Sequence, residues 1–128
     1  MSAIDTLGKT RYVNLETFRK NGTGVQTPVW VARTANELGI FTNGDSYKVK
    51  RLRRNPKIRI AKCGVRGGLK GPWHHGTARV VEDKAGQKAI LDALHRKYGW
   101  QMKLADWGAR IGRTKKNWAF IAVEVSEG

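Results

Sequence analysis

The chain is short of cysteine, proline and acid, and each shortage excludes something. Its single cysteine, Cys63, forbids an internal disulfide and fits a reducing compartment. His74 and His75, adjacent on a strand-like stretch, must face opposite ways, and His95 is remote, so no metal-ligand set is expected. Only three prolines occur, and no linker, repeat or low-complexity tract divides the chain. No apolar run reaches the length of a membrane span, and the opening MSAIDTLGKT holds none of signal-peptide length. A soluble, cytoplasmic protein is expected.

The shortage of acid matters most. Ten carboxylates stand against 25 Lys and Arg, a formal net charge of +15. Between residues 46 and 81 there is no Asp or Glu at all, yet that stretch holds eleven Lys or Arg. With so few carboxylates, no glycosidase-like pair is visible, and no Ser-His-Asp or Cys-His arrangement can be argued from spacing. Hydrolysis therefore lacks its equipment. What stays open is chemistry carried by a bound cofactor, with the protein binding and orienting it. The charge asks for a partner: nucleic acid, an anionic membrane surface or a small polyanionic cofactor. A generally basic, solvated surface is the plain alternative, and the clustering argues against it.

What is present is enough for one globular domain over residues 1–128, with 40% hydrophobic residues and five Trp. Residues 1–10 are expected as a loose N-terminal arm. Arg11 to Phe18 reads as a strand closed by Lys20-Asn21-Gly22-Thr23-Gly24, a turn signal. Thr27 to Arg33 is β-branched and aromatic, and with Leu38 to Thr42 it has hairpin spacing. Lys57 to Lys62 alternates with a period of two. Trp73 to Glu82 and Trp118 to Val125 read as further strands. Ala85 to Tyr98 is helical, with Ala89, Ile90, Ala93, Leu94 and Tyr98 on one stripe, and Trp100, Leu104, Trp107 and Ile111 form a second helical pattern. This order suits a mainly β fold, a six-stranded antiparallel barrel with peripheral helices. A doubly wound parallel sheet would need crossover helices that are missing.

Two loops bear on function. In GDSYKVKRLRRNP, residues 44–56, Ser46 is placed to cap a short helix carrying Lys48, Lys50, Arg51, Arg53 and Arg54, which Pro56 ends. A helix start presents unpaired N–H groups and partial positive charge, so this is a candidate anion cradle. The loop from Gly64 to Gly71 is no P-loop, because no Gly-Lys-Ser/Thr follows at the needed spacing. It is either a plain hairpin tip or a close approach for a ligand, with Arg66 and Lys70 supplying charge. Cys63 follows a basic strand, which can lower a thiol pKa, although a half-buried structural thiol is the simpler reading. Trp30 and Trp73 flank the presumed site and can wall a planar ring.

Taken in order, several motifs resemble the split β-barrel oxidoreductases related to pyridoxamine phosphate oxidase, the FMN-binding split-barrel type, over roughly residues 11 to 125. They are Thr27-Pro28-Val29-Trp30-Val31-Ala32, then Ile40-Phe41-Thr42, then Ser46 to Pro56, Cys63 to Gly67, Gly76-Thr77-Ala78-Arg79 and Arg96-Lys97-Tyr98-Gly99-Trp100. The nearest likeness is to the actinobacterial branch that uses the deazaflavin coenzyme F420. The resemblance implies a homodimer with cofactor sites at the subunit boundary, and hydride transfer from the reduced deazaflavin to an electron-poor small molecule. It implies that Thr27, Pro28 and Trp30 lie along the ring, that Phe41, Thr42, Tyr47 and Lys48 hold the ribityl phosphate, and that Arg51 and Arg54 assist. Cys63, Arg66 and Gly67 would border the cofactor, Arg66 and its neighbours closing over it or its acidic tail. No catalytic side chain or proton donor is implied. FMN-using members usually carry Arg and Lys at the places of Thr27 and Ala32, and their loss here favours F420 over FMN.

Alternatives from other classes stay open: an FMN-binding protein, a split-barrel F420 carrier without chemistry, or a basic nucleic-acid-binding barrel. The last has charge in its favour but no RNA-binding aromatic motif or helix-turn-helix pattern. Membrane association is weaker still, since no helix joins the basic patch to a wide apolar face.

Overall fold

The computed structural model describes residues 3–43, 47–99 and 118–126. Ser46, the expected cap, and the helical pattern from Trp100 to Ile111 lie outside the described residues. Along the chain run α1 (Ala3–Lys9), β1 (Tyr12–Phe18), β2 (Gly24–Val29), β3 (Ala32–Arg33), β4 (Leu38–Asn43), α2 (Tyr47–Arg54), β5 (Lys57–Cys63), β6 (His74–Val81), α3 (Lys84–Tyr98) and β7 (Trp118–Val125).

The strands form one sheet in the order β2-β1-β5-β6-β7-β4-β3, and every neighbouring pair is antiparallel. There are seven strands where six were expected, because the stretch from Thr27 to Arg33 breaks at Trp30 and Val31. Before the break it pairs with β1, Val29 opposite Val13. After it, only Ala32 and Arg33 pair with β4. The anticipated hairpin with residues 38–42 is therefore two residues deep. One continuous segment supplies both edges of the sheet, so the sheet curls until its edges meet at this corner. That is a split barrel.

Inside the barrel, alternate residues converge: Val13 and Leu15 from β1, Ile40 from β4, Ile58 and Ile60 from β5, Ile121 and Val123 from β7, all within 1% of full burial. Burying such side chains contributes about 1.5–3 kcal/mol each. Leu52 from α2 and Leu7 from α1 join the same cluster. Leu7 is the reason residues 3–9 are not a loose arm. Its burial gives the helix an anchor, and the Asp5–Arg33 ion pair ties α1 to β3.

A second cluster lies outside the barrel, where α3 sets Ile90, Ala93, Leu94 and Tyr98 against Ala32, Val81, Phe120 and Ala122. Both faces of β7 are thus covered, which accounts for its nearly unbroken apolar run. Ala89, placed on the buried stripe by periodicity, is exposed instead. The Asp83 carboxylate caps α3 by accepting the Gly86 N–H at 2.7 Å, and Gly99 closes it with φ 58°.

Candidate functional site

The predicted residues fall mainly into two groups, one at the split of the barrel and one on α2. The first is an aromatic cleft of about 290 Å³ lined by Tyr12, Pro28, Val29, Trp30 and Phe41. The Trp30 indole lies flat on Tyr98, centroids 4.5 Å apart at 9°, and meets Phe41 edge-on at 6.2 Å and 73°. One of its faces is therefore taken by α3. Tyr98 is held in turn: its hydroxyl accepts the Val31 N–H at 3.0 Å and lies 2.7 Å from the Arg11 carbonyl. The neighbouring Lys97 ammonium donates to the carbonyls of Gly8, Thr10 and Val31 at 2.9, 2.5 and 2.5 Å. Burial pulls Lys97 down to about 8 and pushes Tyr98 up to about 12.

The loop after β5 folds back toward this cleft. Gly67, at φ +86°, has its carbonyl held by the buried Asn14 Nδ2 at 3.1 Å. A Cβ there would come within 3.9 Å of Pro28, so the loop tip rests beside the cleft wall. The Asn14 Oδ1 is buried without a partner among the described residues. Arg66 is exposed on the same loop.

The second group is α2, seated by its buried Val49 and Leu52. Lys48, Arg51 and Arg54 follow one another at a spacing of three and fan along one side of the helix. Arg51 Nε donates to the buried Thr17 Oγ1 at 2.7 Å, and Arg54 donates to the Phe18 carbonyl at 3.5 Å. Burial, then the Arg51 charge, lowers the Lys48 pKa. Burial lowers that of Arg51 too, followed by the charges of Arg19 and Arg54. Arg53 pairs instead with Glu82 at 3.0 Å. Among the described residues no carboxylate pairs with Lys48, Arg51, Arg54 or Arg19.

The remaining predicted residues fall around these groups. Phe41 and Thr42 lie on β4, which leads from the cleft to the start of α2, where Tyr47 is 73% exposed with Lys50 5.3 Å over its ring. Thr27 is half-buried on β2, opposite Leu15. Cys63 is not at a surface. It stands beside Tyr12 in the sheet at 3% exposure, and burial pushes its thiol up despite Lys70, the reverse of what its basic neighbours suggested. Trp73 does not wall the cleft either, because it covers the Arg59 guanidinium at 4.6 Å, which in turn bonds the buried Glu16 at 2.5 Å.

Tyr12, Arg19, Lys97 and Tyr98 were not singled out for the site by sequence, although Lys97 and Tyr98 fell inside a family-like motif. Nothing local marks a residue whose partners lie 66 to 89 positions away. A cavity of about 770 Å³, bordered by Phe18, Lys57, His75, Thr77 and Glu124, lies away from the aromatic cleft and is lined by none of the predicted site residues. Among the described residues no group of three or more His, Cys, Asp or Glu could hold a metal, and no helix is long and apolar enough to cross a membrane.

Against known proteins, residues 3–128 match the family model described as pyridoxamine 5'-phosphate oxidase. No curated protein matches. Several solved structures share the fold at low identity. The heme storage protein HutZ from Vibrio cholerae aligns with TM-score 0.71 and 11% identity over 97% of this chain and 87% of its own. The conserved hypothetical protein Rv2991 from Mycobacterium tuberculosis gives 0.70 and 19% over 95% and 79%. A protein named F420 reductase gives 0.65 and 16% over 98% and 95%.

Proposed function

Since the chain belongs to the pyridoxamine 5'-phosphate oxidase family, we propose that it is an F420-dependent reductase, working as a homodimer with its cofactor at the subunit boundary and passing a hydride to an electron-poor small molecule. The observation that carries this reading is one barrel bearing both an aromatic cleft at the corner between β2 and β3 and the cationic helix α2, whose Lys48, Arg51 and Arg54 pair with no described carboxylate. The cleft suits a flat, apolar ring, and the helix suits a phosphate.

The residues present fit such a group. Pro28, Val29 and Trp30 offer an apolar wall, with Phe41 opposite, and Lys48 offers a cation already stripped of much of its water. Gly67, at φ +86°, lets the loop turn back beside the wall. When bound, reduced F420 supplies the hydride. This chain's own residues bind, orient and exclude water, and a small acceptor would stack over the ring. Deazaflavin is favoured over FMN because Thr27 and Ala32, the latter buried against α3, stand where FMN-using members usually carry Arg and Lys. The named F420 reductase among the structural neighbours agrees with this reading. A purely cofactor-carrying role rests on the same contacts and differs only in turnover.

Titration of the purified chain with F420, followed by quenching of the coenzyme's fluorescence, tests the proposal. Saturable binding at micromolar concentrations is expected, and Lys48→Ala should weaken it roughly ten-fold through loss of a charge-assisted bond. Indifference to F420, together with a yellow, FMN-loaded preparation, would move the chain to the flavin-binding members. Tight, salt-sensitive binding of single-stranded oligonucleotides with no response to F420 would remove the redox reading altogether.

A further inference from the structure

The cations gathered at the far end of α2 come from two elements, and one of them has no role in the reading above. Arg51 and Arg54 reach down to Thr17 and Phe18, the last two residues of β1. The next residue is Arg19, the first of the turn into β2. Its backbone is fully engaged, the N–H donating to Thr23 and the carbonyl accepting from Gly22, both at 2.9 Å. Its exposed side chain is in no ion pair among the described residues.

We propose that Arg19 completes a two-sided anion cradle with Arg51 and Arg54, and that this cradle takes a ligand group carrying more than one negative charge, of the diphosphate class. The inference rests on the anion-binding reading of α2 and extends it in both membership and ligand charge.

Three arginines gathered at the end of β1, with no described carboxylate paired to any of them, make an arrangement that repels itself. Arg51 is the centre of it: half-buried, pinned by Thr17, and with its pKa lowered by both arginine neighbours as well as by burial. Single phosphates are served by a helix start and one lysine, as at Lys48. A second and third guanidinium add bidentate donors in fixed planes, which match a second anionic centre. The acid that could neutralise the cluster is elsewhere, since Glu82 is engaged by Arg53 and Glu16 by Arg59. The turn itself is set by backbone bonds and by Gly22 at φ +87°, so the Arg19 side chain is not needed to build it.

The full chain should be titrated calorimetrically with inorganic pyrophosphate and with orthophosphate at matched ionic strength. Pyrophosphate is expected to bind at least ten-fold more tightly. Arg19→Ala should lose most of that preference while changing orthophosphate binding less than two-fold, and Arg19→Lys should recover only part of it. Arg96→Ala, an exposed arginine on α3, is the charge-matched control and should behave as the parent. Equal affinity for the two anions, or an equal loss in the Arg19 and Arg96 variants, would overturn the proposal in favour of net charge alone. F420 binding separates the two readings. Pyrophosphate preference without any F420 response leaves the cradle and removes the redox assignment. F420 binding with an Arg19→Ala variant that treats both anions as the parent does leaves the redox assignment and removes the cradle.

Discussion

The phenol ring of Tyr98 lies flat on the indole of Trp30, centroids 4.5 Å apart, and its hydroxyl also accepts the Val31 N–H at 3.0 Å. One side chain at the end of α3 thus holds the corner at which the edge segment changes partners. The cleft wall inherits its geometry from that corner. Any ligand that stacks at Pro28 or Trp30 meets a surface that α3 has already set.

Tyr98→Phe keeps the stack and removes the hydroxyl. Val31 is fully buried, so its N–H would be left without an acceptor. A loss of about 1–3 kcal/mol in urea unfolding is expected. Tyr98→Leu should lose about 0.5–1.5 kcal/mol more by removing the ring pair, and with it the near-ultraviolet dichroism of Trp30. A Phe variant as stable as the parent would remove the hydroxyl from the account.

Lys97 carries a pH signature of definite sign. Burial pulls it to about 8 from an ordinary 10.5. On raising the pH through this window the unfolded chain holds its proton longer than the folded one, so stability from this group rises between about 8 and 10.5. Cys63 and Tyr98, both pushed upward by burial, act in the opposite sense at their own higher values. The parent-minus-Lys97→Met difference in thermal midpoint isolates the lysine. That difference should grow as pH rises from neutral towards 10, and a flat difference would contradict the assignment.

Glu16 acts at the acid end. The Arg59 bond, opposed by burial and helped by Gln26, holds its carboxyl below the ordinary 4.5. Its contribution is present above that value and is lost as pH falls through the lower folded one. Glu16→Gln keeps the shape and should cost about 1–3 kcal/mol at pH 7. The lower part of that range is expected, because the Arg59 side chain is 33% exposed and screened by solvent. Chemical unfolding at a series of pH values should show the two proteins converging as the pH falls below 4.5.

Much of this is readable in the chain itself, and the divisions have physical causes. The alternation around Ile58 and Ile60, the apolar run from residue 118, the helical stripe ending at Tyr98 and the Asn-Gly turn are local properties of neighbouring residues. So is the acid-free stretch that makes α2 cationic. The loose arm expected over residues 1–10 gives way to α1 because Leu7 is buried and Ala3 and Ile4, one turn earlier, pack on the same cluster, a stripe too short to stand out in sequence. Cys63 follows the simpler reading, a structural thiol, because its burial outweighs the charge of Lys70.

The chain's local pattern determined a mainly antiparallel β fold with one strongly positive helix. Only tertiary structure decided that residues 24–33 would serve both edges of the sheet, that Arg51 would reach Thr17, and that Lys97 and Tyr98 would grip a corner 66 and 67 residues away. Local preference acts over a few residues of chain. Closing a barrel is settled by burial across its whole length, where spacing in sequence carries no information.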